Sequence, residues 1–421
     1  MFRYSFHKRQ QSAWCRAQRA RNMPTRGSTS AEHAPRVRFA NASATPTAHV
    51  YMTGHSRLKF YYRPAMQTIV RGLQSANVTS QLGYDVRHAA KLAPELTHRD
   101  IFIWIGAAGL DELNSTLYSM TQRGVYTIFY STEADFGHVC ADKMTLHVRE
   151  VWEYTQSNVE CCVGRAGSKV WRYVPPGYIP RPLAADAGSS SRLTFIGSTV
   201  IWYDKRRACL REVARGLMTG FNNSGTPIAH SNFTRCSKSF CAQCAEFCPF
   251  HLKSSIGDDK GWDKEMQVSS SFLNVHKACN SSATSSNAAC ESFRLAPLLS
   301  AGAMVFSEHC HESDEREYAG LVHFGQVKTL GGAAVAAWRG QTAADRMGPR
   351  ERAAAFAERF APAAIFERAG VTAMLAARTR RGHHDGTSHR GHHDASGHHS
   401  AWEAYWTEKV VPPRPAYCKG D

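Results

Sequence analysis

Ile101-Phe-Ile-Trp-Ile105 and Tyr126-Thr-Ile-Phe-Tyr130 are near-continuous apolar runs, and Asp111 to Gln122 between them mixes polar and apolar residues at helical spacing. A strand with one wet face alternates. A run apolar on every residue, closed by Gly106, is the mark of a strand buried on both faces, as in a parallel sheet whose crossover is a helix. The reading is therefore strand, helix, strand. Working outward, Trp171 to Val174, Leu193 to Ile196, Phe272 to Val275, Met304 to Ser307 and Leu321 to Phe324 repeat the strand signature. Asp204 to Met218 predicts a helix with Leu210, Val213, Ala214 and Leu217 on one face, and a further helix is expected from Ala288 to Ala301. Pro175-Pro-Gly-Tyr-Ile-Pro-Arg-Pro182 and the Ala-Asp-Ala-Gly-Ser run after it separate two series of βα units and read as a linker. The expected fold class is α/β, with two domains, 49–182 and 183–376, facing each other across a cleft.

The length of 421 residues suits two or three domains, and no apolar run approaches the roughly 18 residues of a membrane span. The net charge is +16, yet residues 1–50 hold Lys8 and eight Arg against Glu32 alone, which supplies half of the excess. The body is only mildly basic, which argues against a nucleic-acid-binding face. Thirteen Cys is an odd count in a chain without a secretory apolar segment, so reduced thiols are expected and no disulfide framework. The Asn-x-Ser/Thr sequons at Asn41, Asn77, Asn114, Asn222, Asn232 and Asn280 would matter only in a secretory compartment. Residues 1–48 read as a transit-like segment or a disordered basic tail, Met23 and Met52 being alternative starts, so the location is cytoplasmic or organellar. Residues 377–421, with Arg381-Gly-His-His-Asp385 repeated at Arg390 to Asp394, are a His-rich low-complexity tail expected to be disordered.

Ligands of open α/β sheets sit beyond the carboxyl ends of the strands. Here those positions are Gly106 to Gly109, Ser131 to Asp135, Gly197 to Thr199, His276 with Lys277, and Glu308. A different chemistry is offered by Cys236, Cys241, Cys244 and Cys248, a C-x4-C-x2-C-x3-C run whose thiolates could close a zinc or iron-sulfur site. The alternative reading of that stretch, 221–262, is an insertion.

Phe272-Leu-Asn-Val-His-Lys277, Glu291-Ser-Phe-Arg-Leu-Ala-Pro-Leu-Leu-Ser-Ala-Gly302 and Val305-Phe-Ser-Glu308 resemble the carboxyl-terminal half of GT-B glycosyltransferases with a glycosyl transferases group 1 domain. The resemblance runs back through Phe195-Ile-Gly-Ser198 and Pro175-Pro-Gly-Tyr178, and forward through His323-Phe-Gly325 to Ile365-Phe-Glu-Arg-Ala-Gly370. Its best-matched part is about 193 to 370, with 99 to 182 weaker. It implies two Rossmann-like domains, a nucleotide-sugar donor held by the second and a glycan, lipid or protein acceptor held by the first. No bound metal and no cofactor beyond the donor are implied. Carried onto this chain, the resemblance makes His276 and Glu291 catalytic candidates, and Gly197, Ser198, Arg206, Lys277, Arg294 and Glu308 donor-binding candidates. Arg206 or Arg207 with Lys277 would neutralise phosphate charge, and Glu291 would take sugar or ribose hydroxyls. One position departs from the pattern: Pro297 stands where many relatives have a Glu for the ribose.

Each residue also has a plainer role. His276 can be a hydrogen-bonded structural histidine, Arg206 and Arg207 solvated first-turn residues, and Glu291 and Arg294, spaced i, i+3, a surface pair. Three functions follow: a glycosyltransferase, a GT-B-like binding protein that has lost turnover, and a zinc-dependent nucleic-acid binder built on the Cys run and the basic ends.

Overall fold

The computed structural model describes residues 46–52, 56–106, 110–132, 147–163, 169–186, 193–197, 204–222, 250–253, 259–276, 279 and 288–384. The Cys236 to Cys248 run, Ser198, Lys277 and both chain ends lie outside the described residues.

The first series is β1 (Thr47–Met52), α1 (Ser56–Ser75), β2 (Thr79–Tyr84), α2 (Val86–Leu92), β3 (Ile101–Ile105), α3 (Leu110–Gln122), β4 (Tyr126–Ser131), β5 (Glu150–Glu153), α4 (Gln156–Cys162) and β6 (Val170–Tyr173). Its strands pair in the order β2-β1-β3-β4-β5-β6, every pair parallel. The second series is β7 (Leu193–Ile196), α5 (Asp204–Asn222), β8 (Phe250–Lys253), α6 (Asp259–Val268), β9 (Ser271–Asn274), α7 (Ser292–Ser300), β10 (Met304–Glu308), α8 (Glu312–Glu317), β11 (Val322–Gly325) and α9 (Val327–Trp338). These strands form a second parallel sheet, β11-β10-β9-β7-β8. The chain then runs through α10 (Ala343–Arg346), α11 (Pro349–Phe360), α12 (Pro362–Arg368) and α13 (Val371–His384). Every residue of β3 and β10 is buried, which is why their sequences read as unbroken apolar runs.

The strands named from sequence recur with shifts of a residue, the helix expected over Asp204 to Met218 runs on to Asn222, and the expected helix from 288 begins only at Ser292. Residues 288–290 lie outside the helix, with Ala288 O accepting from His311 N and Cys290 N donating to Asp314 Oδ2. β8 pairs in parallel with β7 from inside the stretch expected to be an insertion, so any insertion ends before Phe250. Gly302, just past α7, has φ +68, and a Cβ there would collide with the carbonyl of Pro349. Only glycine fits that turn.

The segment 175–186 is more than a tether. Gly177 N donates to Thr68 Oγ1 at 2.7 Å, Tyr178 N to Phe360 O at 2.7 Å, Ile179 N to Ser300 Oγ at 3.1 Å and Ala184 N to Ala301 O at 2.7 Å. Buried backbone donors are thus satisfied by both halves of the chain. The last helices return to the first sheet: α12 lies on α1, and Phe366 packs against Trp152 with ring centroids 5.7 Å apart. There Arg172 forms a two-pronged pair with Glu150, Nε to Oε2 at 2.8 Å and Nη2 to Oε1 at 2.9 Å, and its Nη1 donates to Ala369 O at 2.6 Å. Tyr126 Oη and Trp152 Nε1 donate to the same carboxylate at 2.6 and 3.0 Å. One continuous apolar core joins Val50 and Ile103 of the first sheet to Phe293 and Leu298 of α7 and to Phe356, Phe360 and Phe366. Among the described residues no single helix is long and apolar enough to cross a membrane.

Candidate functional site

The carboxyl ends of β7, β9 and β10 bring six of the eight residues singled out from sequence into one neighbourhood. Phe195 is a fully buried ring of β7, and the guanidinium carbons of Arg206 and Arg294 each stand 5.6 Å from its centroid. Arg206 comes from the first turn of α5 and Arg294 from the first turn of α7. A buried aromatic face holds both cations where water would otherwise be their solvent. The two converge on Glu291, the residue before α7: Arg206 Nη2 lies 3.3 Å from Oε1 and Arg294 Nη2 2.7 Å from Oε2. Arg206 is 1% exposed, so the reading of it as a solvated first-turn residue is corrected.

Further bonds fix the pair. Arg206 Nε donates to His276 O at 3.2 Å, Arg294 Nη1 to Asn274 Oδ1 at 2.7 Å, and Asn274 Nδ2 to Ser307 Oγ at 3.0 Å. Gly197 closes the site beside Phe195: a Cβ there would stand 2.8 Å from the ring and 3.6 Å from Arg294 Nη2. Any side chain at 197 would displace the face on which both guanidiniums rest.

His276 follows β9 and Glu308 ends β10. The His276 backbone N–H donates to Glu308 Oε1, and His276 Nδ1 lies 3.3 Å from the same oxygen. The other ring nitrogen, Nε2, is buried with no hydrogen-bond partner. Burial, opposed by Glu291 and reinforced by Arg294 and Arg206, lowers His276 to about 4, so the imidazole is neutral at pH 7. Burial raises Glu308 to about 7, the His276 N–H opposing and Glu291 adding to the rise. With Nδ1–H assigned toward Glu308, Nε2 is left as an acceptor.

The first half of the chain supports this arrangement through Asp314 of α8. Its carboxylate accepts from Ser157 N at 3.1 Å, Ser157 Oγ at 2.7 Å and Cys290 N at 3.2 Å, which anchors the residue before Glu291. Burial raises Asp314 to about 6 against those donors. Tyr61 of α1 packs its ring 5.3 Å from Phe293 and lies within electrostatic reach of Glu291, Arg294 and Arg206.

The expectation of reduced thiols is corrected. Cys209 is bonded to Cys279 and Cys290 to Cys310, with Cα separations of 6.6 and 5.2 Å. The first bridge ties α5, three residues beyond Arg206, to the segment after His276. The second ties the residue before Glu291 to the one two beyond Glu308. The partners are 70 and 20 residues apart in sequence, and only the order of strands in the sheet brings them together. Among the described residues no group of three or more His, Cys, Asp or Glu could hold a metal ion.

Asn274, Ser307, Phe195 and Tyr61 belong to this neighbourhood and were not singled out from sequence. Asn274 carried a usable signal, a polar residue interrupting the apolar run Phe272 to Val275. For Tyr61 the sequence holds no signal, because its place depends on how α1 meets α7.

No protein-family model matches the sequence, and no curated protein sequence matches it. Solved structures with a similar course of the chain include a glycosyltransferase from Rickettsia africae, 9% identical, TM-score 0.45, covering 79% of this chain and 99% of that one. HepE from Anabaena in complex with UDP and glucose is 9% identical, TM-score 0.48, covering 78% and 99%. The trehalose-6-phosphate phosphatase N-terminal domain from Candida albicans is 8% identical, TM-score 0.45, covering 81% and 98%. Likeness at this level carries no conclusion about the chemistry of this chain.

Proposed function

We propose that this chain is a glycosyltransferase of GT-B type that moves a sugar from a nucleotide-sugar donor to an acceptor hydroxyl. The reading is carried by one observation: two buried guanidiniums, stacked on Phe195, converge on a single carboxylate at the ends of parallel strands. A diphosphate offers the guanidiniums what Glu291 now offers them, anionic oxygens that accept their N–H groups.

As the acceptor oxygen bonds to the anomeric carbon and the bond from that carbon to the diphosphate breaks, the electron pair and its negative charge gather on the leaving oxygen, and the acceptor's hydroxyl proton passes to the released diphosphate or to water. Arg206 and Arg294, fixed before the reaction and shielded from water, stabilise that charge without reorganising. Donor binding draws them off Glu291, which is then free to take sugar hydroxyls. His276, neutral and with Nε2 unpartnered, accepts a further hydroxyl proton in a hydrogen bond. Glu308 orients the imidazole. Gly197 and, outside the described residues, Ser198 and Lys277 complete the donor-binding set. A cytoplasmic or organellar location, and an acceptor held by the first half near Tyr61, belong to the same proposal.

Pro297 favours a second reading. It is buried within α7 and offers no carboxylate for a ribose, so a protein that binds nucleotide-sugars without turning them over has the same site. The test is nucleotide release from UDP-, GDP- and ADP-sugars by the full chain, beside Glu291→Ala. Release that is lost in the variant supports transfer. Saturable binding with no release supports the degenerate protein, and neither binding nor release rejects both.

A further inference from the structure

A second concave site lies on the other side of the second sheet's edge, away from the strand ends. β11 is an edge strand, and His323 in it stacks on Phe306 of β10 with centroids 4.8 Å apart. Phe306 belongs to the apolar cluster under α5 and α9, so His323 lies on the helix-covered face and not with Glu308 at the strand end. Between β11, α9 and α10 is a cavity of about 370 Å³ lined by Val322, His323, Ala333, Ala336, Ala337 and Asp345. That volume falls within the range of small-molecule sites, and its walls combine the methyl groups of Val322 and the alanines with the polar groups of His323, Gln341, Thr342 and Asp345.

One fully buried side-chain oxygen of its lining has no hydrogen bond. Asp345 is 7% exposed, and its Oδ2 accepts from Thr342 N at 2.8 Å while Thr342 Oγ1 accepts from Asp345 N at 3.1 Å, a reciprocal cap that fixes the side chain. Oδ1 is buried without a hydrogen-bond partner, and the nearest charge-bearing group, His323 Nε2, stands 3.6 Å away. Burial pushes His323 below its ordinary value, with Asp345 opposing and Arg352 adding to the fall. Arg352 donates Nε to Gly302 O and Nη1 to Met347 O, and its Nη2 is buried without a hydrogen-bond partner. A buried carboxylate oxygen lacking a donor is costly, and nothing in the cap requires the position to be so exposed to that cost.

We propose that this cavity binds a small organic ammonium ion, its N–H groups on Asp345 Oδ1 and its hydrocarbon part against the alanines of α9. An ammonium supplies both the missing donor and the missing charge, and the alanines leave room for a chain of a few carbons. A neutral alcohol of the same shape supplies only the donor.

The test is a calorimetric or NMR titration of the full chain with n-butylammonium and, separately, with n-butanol. Saturable binding of the ammonium, at least tenfold tighter than the alcohol, is expected. In Asp345→Asn the amide oxygen can keep the Thr342 cap while its NH2 faces the cavity, so the preference for the cation should disappear. Ala336→Phe fills the cavity from a partly exposed helix position and should abolish binding of both. No binding by the wild type, equal binding of the two probes, or ammonium binding retained in Ala336→Phe would overturn the proposal. Melting curves accompany both variants, and if Asp345→Asn does not fold, Ala336→Phe alone decides.

Discussion

Two buried arginine-glutamate pairs in this chain use the same chemistry to opposite ends. At Glu150 both carboxylate oxygens have two donors each, from Arg172, Tyr126 and Trp152, and the acid is fully buried. At Glu291 one carboxylate is shared by two arginines, its side chain is 16% exposed, and beside it His276 Nε2 has no partner and Glu308 sits near 7. The first pair is closed. It holds β5, β6 and the end of α12 together and has no bonding capacity left for a ligand. The second is open, with more cations than its acid needs and groups poised near the pH of use. Burial and charge alone do not mark a site; surplus does.

The comparison is broken most severely at the closed pair. Arg172→Ala leaves Glu150 buried without its cation and should cost about 3–5 kcal/mol of stability. Thermal unfolding should show that loss, with any nucleotide affinity of the remaining folded protein unchanged. Arg206→Ala should do the reverse, because Arg294 still holds Glu291. Turnover of the nucleotide-sugar found active should fall about 10²- to 10³-fold with a much smaller change in melting, read from steady-state nucleotide release. Equal destabilisation by the two variants would erase the distinction.

The bridges come next. Removing Cys290–Cys310 as the double Ser variant frees a 20-residue separation and should cost about 2–3 kcal/mol in a denaturant titration, with weakened donor affinity because it frees the residue before Glu291. The smallest expected effect is a pH dependence. Below about 7 Glu308 is protonated and neutral, and above it the carboxylate faces the diphosphate with like charge. Donor affinity should therefore fall as pH rises through about 7, by roughly tenfold, and Glu308→Gln should flatten that profile. The same sign holds for stability, since a carboxyl raised by folding favours the folded state at low pH and loses that contribution as pH rises to about 7. A profile that stays steep in Glu308→Gln assigns it to another group.

Much of the frame was legible because buried parallel strands have nothing polar to hide: β3, β4, β7, β9 and β10 all declare themselves. β2 does not, since Thr79–Tyr84 is a largely exposed edge strand without an apolar run. β5 does not either, because Glu150-Val-Trp-Glu153 looks half charged until Arg172 and Asn158, from elsewhere in the chain, cover its acids. The site residues were legible one by one, by their place after strands. Their pairing was not. Arg206 meets Glu291 across 85 residues and each disulfide joins separate elements, so only the order β10-β9-β7 brings them together.

The central claim is that Glu291 holds the two guanidiniums in the place a diphosphate takes. The most direct measurement is the affinity of the wild type and of Glu291→Gln for the nucleoside diphosphate of the donor found active, by calorimetry, beside sugar turnover. The account predicts equal or tighter diphosphate binding in Glu291→Gln, because a competing charge is gone, together with loss of turnover. Diphosphate binding that falls in parallel with turnover would contradict it, and would make Glu291 a direct ligand of the nucleotide.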